Sequence, residues 1–531
     1  MMHIRRRTAS RFAAALAVLL IGHYTATSQQ TSDLRTPPPP PTPHLNGPKV
    51  YGARPGHLFL YRIPCTGNRP VTFSANHLPA SLKLNRQTGI ISGTTPEKTG
   101  EFLMTIKATN ALGSDSRSFK LVVGDTLSLT PQMGWNDWYS YYGHITDRDI
   151  RTAADAMISS GMANYGYQYV DIDDCWARKP GSDDPALAGP TRDTQGNILP
   201  NSRFPDMAAL TAYIHSLGLK TGIYSSPGPL TCAKFEGSYQ HEEADAHRIA
   251  AWGFDLFKYD WCSYEKIAKD KSLAEVEKPY IKMGGIVHGL DRDVVINMCQ
   301  YGMGDVWNWG RQAGGHSWRT TGDLGWEPGD ALPGFYHIAF ANAAHGANAG
   351  PGGWNDPDYI LIGTVGDARN IELPGRPTSL THEEQYSYMS MWSLMAAPLF
   401  FSGEMTQLDP FTLNVLSNSE VIDVDQDSLG KQAAIIRKTD DEFILQKPLE
   451  DGSVAVGFFN LTQAPRSISA DWKQLGLNGE QTVRDVWRQH DLGSFSDSFS
   501  TQVPPHGVIM VRLTPAHVHR IAGPSLREIK Q

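Results

Sequence analysis

Between Asp125 and about Val424, short apolar segments alternate with amphipathic stretches, and this alternation constrains the fold more than any other feature of the chain. Eight such segments recur: Gln132–Trp135, Tyr167–Ile172, Leu219–Tyr224, Phe254–Tyr259, Val294–Met298, Ser317–Thr321, a weak one near Gly352–Trp354, and Pro398–Ser402. Helical periodicity lies between them, as in Asp147–Ser160, Met207–Leu217 and Glu242–Trp252. Strands buried on both faces read as near-continuous apolar runs. Eight strand–helix units over about 300 residues fit one (β/α)8 TIM barrel better than an open doubly wound sheet.

At 531 residues the chain is too long for that barrel alone. Before it, Leu82–Asn85, Ile90–Ser92, Glu101–Ala108 and Arg117–Val123 alternate apolar and polar residues between Gly and Asn turns, which predicts a small β-sandwich. After it, the helical period disappears. Ala433–Arg437, Glu442–Lys447, Val454–Asn460, Thr482–Asp485 and Val508–Leu513 predict a second, antiparallel sandwich. The expected domains are an export signal (1–28), a proline-rich linker (29–48), an Ig-like β-sandwich (49–124), the barrel (125–428), a C-terminal β-sandwich (429–515) and a tail (516–531). The PPPPPTP run in the linker reads as a stiff polyproline II spacer outside any core.

The signal rests on basic Arg5–Arg7, the apolar run Phe12–Ile21 and a small-residue cleavage site at Ala26–Ser28. Secretion or a periplasmic location is therefore expected, with no membrane attachment after cleavage. A net charge of -8 offers no basic footprint for nucleic acid. Five cysteines leave at least one thiol free, and none of their spacings fits a zinc site. His241, Glu242 and His247 miss the zincin spacing, with Asp245 at the second histidine position. Asp423, Asp425 and Asp427 lack the turn glycine and closing glutamate of a calcium loop. No metal and no cofactor is expected.

Carboxylates end strand after strand. FDLFKYD closes on Asp260 and SWRTTGD on Asp323. The C-terminal ends of barrel strands are where this fold keeps its chemistry, and two carboxylates there suggest glycoside hydrolysis. The plainer reading makes them structural ion pairs with Lys258 and Arg319. The rim also offers Trp135–Trp138, Asp173, Asp174, Trp176, Tyr224, Lys258, Arg319 and Trp354–Asp358. Carboxylates accept hydroxyl hydrogen bonds and indole faces cover the C–H side of a sugar ring, so such a rim suits a neutral polyhydroxylated ligand.

MGWNDW (Met133–Trp138), DIDDCW (Asp171–Trp176), FKYDWC (Phe257–Cys262), WRTTGD (Trp318–Asp323) and GPGGWNDPD (Gly350–Asp358), in that order, resemble glycoside hydrolase family 27, the α-galactosidases and α-N-acetylgalactosaminidases. The resemblance spans roughly Leu129 to Pro515. The stretch Leu78–Pro96 is similar to a bacterial immunoglobulin-like domain. The resemblance implies that Asp260 is the nucleophile and Asp323 the general acid/base of a retaining exo-α-galactosidase. It implies that Asp173 and Asp174 bind the sugar's O4 and O6, and that Trp138, Tyr224, Lys258 and Arg319 line the pocket. It also implies a Cys232–Cys262 disulfide. Lys258 beside Asp260 is expected to keep the nucleophile ionised. The expected partner is a galactose-containing oligo- or polysaccharide; the oligomeric state is not legible.

Departures from the family pattern fall on the pocket. No cysteine follows MGWNDW, so Cys175 is expected to lack its partner. The family's CEW reads Cys299-Gln300-Tyr301, which places Gln300 where a sugar-binding glutamate is expected, and Tyr359 replaces the methionine after WNDPD. These keep α-N-acetylgalactosaminidase, β-L-arabinopyranosidase and isomaltodextranase open as alternatives. So does a non-catalytic polysaccharide-binding protein, which the presence of both Asp260 and Asp323 argues against.

Overall fold

The computed structural model describes residues 34–325, 332–366 and 375–516. The expected signal at 1–28 and nearly all of the tail lie outside them.

Eight parallel strands form the central barrel: β1 (Met133–Asn136), β2 (Tyr169–Ile172), β3 (Lys220–Ser225), β4 (Leu256–Asp260), β5 (Val295–Cys299), β6 (Ser317–Arg319), β7 (Trp354–Asp356) and β8 (Leu399–Phe401). From β1 to β7 each strand pairs with the next in sequence, and β1 also pairs with β8. The ring closes one step beyond β7: Ile360 bridges to Phe401, with its amide 2.7 Å from the Phe400 carbonyl. The weak pattern expected near Gly352–Trp354 is therefore a three-residue strand whose pairing partner to β8 lies outside it. β6 is also shorter than predicted. It stops at Arg319, so Asp323 stands on the following loop and not on the strand itself. At Gly134 an added Cβ would lie 2.6 Å from Tyr169 and 2.7 Å from Phe400, which is why the first strand carries glycine there.

The helices α1 (Asp147–Ser159), α2 (Met207–Ser216), α3 (Glu242–Trp252), α4 (Leu273–His288), α5 (Phe335–Ala343) and α6 (His382–Leu394) surround the ring. Side chains satisfy the free amides of their first turns. Thr146 caps α1, Asp206 caps α2 and Ser272 caps α4. Thr381 and Glu384 form a reciprocal capping box at α6. Glu384–Leu394 of α6 is buried throughout, because the helix lies between the barrel and the C-terminal sandwich. Ser387 donates to the His506 carbonyl at 2.8 Å and Trp487 donates to Ser390 at 2.8 Å across that boundary. A helix covered on all sides loses the amphipathic stripe of a surface helix. Between β5 and β6 the described residues contain only a short 3-10 turn, Val306–Asn308.

The C-terminal sandwich pairs a six-stranded sheet with a two-stranded antiparallel sheet, Arg466–Asp471 and Ser498–Val503. Phe458, Ile468, Trp472, Val483 and Phe499 fill the space between them. The N-terminal sandwich has sheets of four and three strands around Phe59, Tyr61, Phe73, Met104, Ile106 and Phe119.

The N-terminal sandwich sits against the loops that lead into the barrel strands, on the face opposite the mouth. Asn46 donates to the Asn164 carbonyl at 2.9 Å, and Arg62 to the Leu217 carbonyl at 3.2 Å. Arg54, only 7% exposed, bonds the carbonyls of His288, Leu290 and Arg292 and meets Asp293 at 2.8 Å. The proline-rich segment is not a free spacer over its described part. Arg35 pairs with Glu383 and its amide donates to the Tyr386 hydroxyl at 2.9 Å, while the Pro41 carbonyl accepts from the Asn68 amide at 2.9 Å. The prolines between are stretched from the C-terminal half of the molecule to the N-terminal sandwich. Removing one partner of a buried ion pair typically costs about 3–5 kcal/mol. Arg54→Ala is therefore expected to lower the thermal midpoint by several degrees in a melting experiment, while Lys83→Ala on the exposed face of the same sandwich leaves it unchanged.

Candidate active site

Strand alternation sets the first part of the site. Lys258 and Asp260 point to the barrel axis from β4, while Tyr259 between them points outward, where its hydroxyl meets Ser238 at 2.7 Å. Tyr224 of β3 is in register with Lys258. β2 has ended at Ile172, so Asp173 and Asp174 are free of alternation, and both face the mouth. Together with Trp138, Arg319, Asp323 and Tyr359 these residues wall one pocket. All of the residues expected to bind sugar line it except Gln300.

Asp173 is the anchor of the floor. Its Oδ2 accepts from Lys258 Nζ at 2.7 Å, Asn136 Nδ2 at 2.9 Å and the Tyr359 hydroxyl at 3.0 Å. Lys258 therefore gives its ammonium to Asp173, not to the Asp260 ion pair of the plainer reading, and its field still favours the ionised form of Asp260 as expected. Burial lowers the ammonium's proton affinity, but Asp173 outweighs it and the lysine titrates above its usual range. Tyr359 lies beside the same charge, its ring centroid 5.0 Å from Lys258 Nζ. Asp174 accepts from the amides of Cys175 at 2.7 Å and Ala233 at 2.8 Å, and burial pushes its carboxyl up to about 6.

Asp260 is 5% exposed. Its Oδ2 accepts from the Tyr224 hydroxyl at 3.0 Å and its Oδ1 from the Trp261 amide at 2.7 Å. Burial pushes its carboxyl up to about 6, against the pull of Lys258. Asp323 has the opposite setting. Its side chain is 35% exposed, and Arg319 holds one oxygen at 3.1 Å. Arg319 also bonds the Gly322 carbonyl at 2.7 Å and Asp358 at 3.0 Å, so one guanidinium fixes the whole loop that carries Asp323. One carboxylate is thus desolvated and held by donors, and the other is open to water.

Cys232 and Cys262 form a disulfide with a Cα separation of 5.0 Å, joining the loops after β3 and β4 at the pocket wall. Their sulfurs and Asp260 lie within metal-ligand reach of one another, but bonded sulfurs offer no thiolate. Cys65, Cys175 and Cys299 are buried free thiols.

Gln300 is placed elsewhere than expected. It is fully buried, and its Oε1 accepts from the Gly302 amide at 2.7 Å. The chain reverses just after it, at φ 63° for Tyr301 and 81° for Gly302, so Tyr301 and not Gln300 reaches the pocket. Tyr139 and Asp358 also line the pocket, joined through their side chains at 3.3 Å. Asp358 stood among the rim residues of WNDPD without a role; Tyr139 and Tyr301 carry no sequence signal beyond their nearness to MGWNDW and to the altered CEW. Trp176 and Trp354, rim candidates by sequence, are structural. Their indole N–H groups bond the carbonyls of Tyr224 and Ser128 at 2.7 and 2.8 Å.

With this geometry in view, known proteins place the chain. The family model described as Alpha galactosidase A matches residues 130–427, the one described as Alpha galactosidase C-terminal beta sandwich domain matches 440–513, and an Ig domain model matches 42–124. The Alpha-galactosidase of Cyamopsis tetragonoloba is 37% identical over 394 residues, which are 73% of this chain and 87% of that protein. A crystal structure of a candidate alpha-galactosidase from Bacteroides fragilis superposes with a TM-score of 0.81 at 34% identity, covering 89% of this chain and 98% of that one. Alpha-galactosidase I of Mortierella vinacea superposes with a TM-score of 0.66 at 29% identity, covering 74% and 99%.

Proposed function

The chain belongs to the α-galactosidase family, glycoside hydrolase family 27, and on that footing we propose that it removes terminal α-D-galactosyl residues from oligo- or polysaccharides by double displacement. The observation that supports this most is the pairing of two carboxylates in opposite settings on one small pocket. Asp260, buried and held by Tyr224 and Trp261, is the nucleophile. Asp323, partly open to water, is the acid and then the base. In the first step an Asp260 oxygen bonds to C1 as the C1–O bond to the aglycone breaks, and the Asp323 proton goes to the departing oxygen. In the second step Asp323 takes a proton from water, the water oxygen bonds to C1, and the electron pair of the ester bond returns to Asp260. Two inversions give net retention.

Asp174 and the floor built on Asp173 and Lys258 supply acceptors and a donor for the sugar's hydroxyl groups, and the Trp138 indole covers a ring face. A pocket walled around a single set of such groups takes one terminal sugar and not the middle of a strand. The protein acts outside the cytoplasm. The basic-then-apolar N-terminus supports that reading, and so does a disulfide beside the nucleophile.

The test is release of nitrophenol from an aryl α-D-galactoside by the mature protein, with proton NMR of the first-formed sugar. The expected results are turnover and initial α-galactose. Turnover of aryl α-N-acetylgalactosaminide or β-L-arabinopyranoside in its place would move the specificity within the family. Initial β-galactose would overturn the double displacement.

A further inference from the structure

The turn after β5 is unusual for its sequence. A tyrosine at φ 63° stands in a region that bulky side chains rarely adopt, and such backbone persists only where its surroundings impose it. Here they do. Gln300 locks the turn through its bond to the Gly302 amide. Gly302 lies so close to the loop after β6 that an added Cβ would be 2.4 Å from the Thr320 carbonyl oxygen. The enforced backbone turns Tyr301 into the pocket beside Asp260. Its hydroxyl lies 3.6 Å from Cys232 Sγ and 3.9 Å from Cys262 Sγ. On the other side the Tyr224 hydroxyl is 3.0 Å from Asp260 Oδ2 and 3.3 Å from Cys262 Sγ. Two phenols therefore flank one carboxylate, and both rest on one disulfide.

We propose, building on the reading of Asp260 as nucleophile, that Tyr301 is a positioning residue whose hydroxyl holds Asp260 as a carboxylate and steadies it as the leaving group of the second step. Tyr301 and Asp260 line the same pocket, and a phenol turned to the carboxylate favours its ionised form. A bond to a full carboxylate is stronger than one to an ester oxygen. It therefore tightens as the C1–Oδ bond breaks, and it assists hydrolysis of the glycosyl-enzyme more than its formation. The family's tryptophan at this position has no hydroxyl to offer; this chain has one, set by a turn that Gln300 pins.

The experiment compares wild type, Tyr301→Phe and Tyr301→Trp on an aryl glycoside with a good leaving group, chosen from those the wild type cleaves, so that the second step limits kcat. For Tyr301→Phe we expect kcat and KM to fall together by roughly tenfold, with kcat/KM at its plateau little changed, as the loss of one charge-assisted bond in the second step predicts. The acid limb of kcat/KM is expected to move up by about 0.5–1 pH unit. Tyr301→Trp is expected to show the same two changes, and it decides the matter if Tyr301→Phe fails to fold. An unmoved acid limb, or a raised KM with kcat unchanged, overturns the proposal in favour of a plain wall residue. Failure of the reading beneath it would look different: Asp260→Ala would retain turnover whatever Tyr301 does.

Discussion

Asp260→Ala is expected to lose turnover of an aryl α-D-galactoside by on the order of 10⁴-fold or more, because removing the nucleophile of a coupled pair removes most of its rate advantage. The pocket itself survives: Asp173, Lys258 and Tyr359 bond one another and not Asp260. The variant should therefore still bind galactose, as calorimetry would show. Azide added to it occupies the vacated space and attacks C1 from the same side, so the product is β-galactosyl azide. Return of wild-type turnover without azide would remove Asp260 from the mechanism. In the wild type the same residue is expected to set the acid limb. Burial pushes its carboxyl up to about 6, and attack requires the ionised form, so kcat/KM is expected to fall as pH drops through about 6.

Asp323→Ala should behave differently. A general acid or base contributes about 10²- to 10⁴-fold, and the share lost in the first step depends on how much the aglycone needs a proton. A dinitrophenyl galactoside leaves unaided, so its glycosylation step should be nearly normal, whereas a natural galactoside should lose the full factor. The glycosyl-enzyme then accumulates, since the base for water is missing. Azide, which needs no base, attacks it from the opposite side to Asp260 and gives α-galactosyl azide. Opposite azide anomers from the two variants would separate the two roles; the same anomer from both would refute the assignment. Arg319 holds Asp323 at 3.1 Å through a guanidinium that also binds Asp358, so the effect of Asp323→Ala is confined to its own loop and does not collapse the floor.

The barrel was legible because its strands are buried on both faces. A run such as Leu399–Phe401 leaves no polar face to confuse with a helix, and the Glu242–Trp252 helix between strands was read to its ends. Legibility failed where burial did not follow local period. The helix His382–Leu394 is covered by both the barrel and the C-terminal sandwich and shows no stripe. The exposed strand His490–Phe495 offers no apolar alternation to read. In the site, Asp260 could be found because it ends its strand, and Asp323 because the WRTTGD motif marks it. Tyr139 could not, since its place in the pocket depends on how the short helix after β1 folds back over the mouth.

By itself the sequence determined the order of the barrel strands, the two flanking sandwiches, and the carboxylate Asp260 at the end of its strand, because each of these follows from local periodicity and residue type. Only the tertiary structure decided the partnerships. Lys258 is two residues from Asp260 in sequence, yet it bonds Asp173, 85 residues away, because the β2 and β4 ends converge on the barrel axis. Gln300 is buried and Tyr301 enters the pocket of Asp260 because contact between the turn at Gly302 and the Thr320 carbonyl fixes a backbone that the strand's own alternation does not. Position along a strand is a one-dimensional property; which charge neutralises which depends on distances across the barrel, where burial leaves no water to screen a misplaced partner.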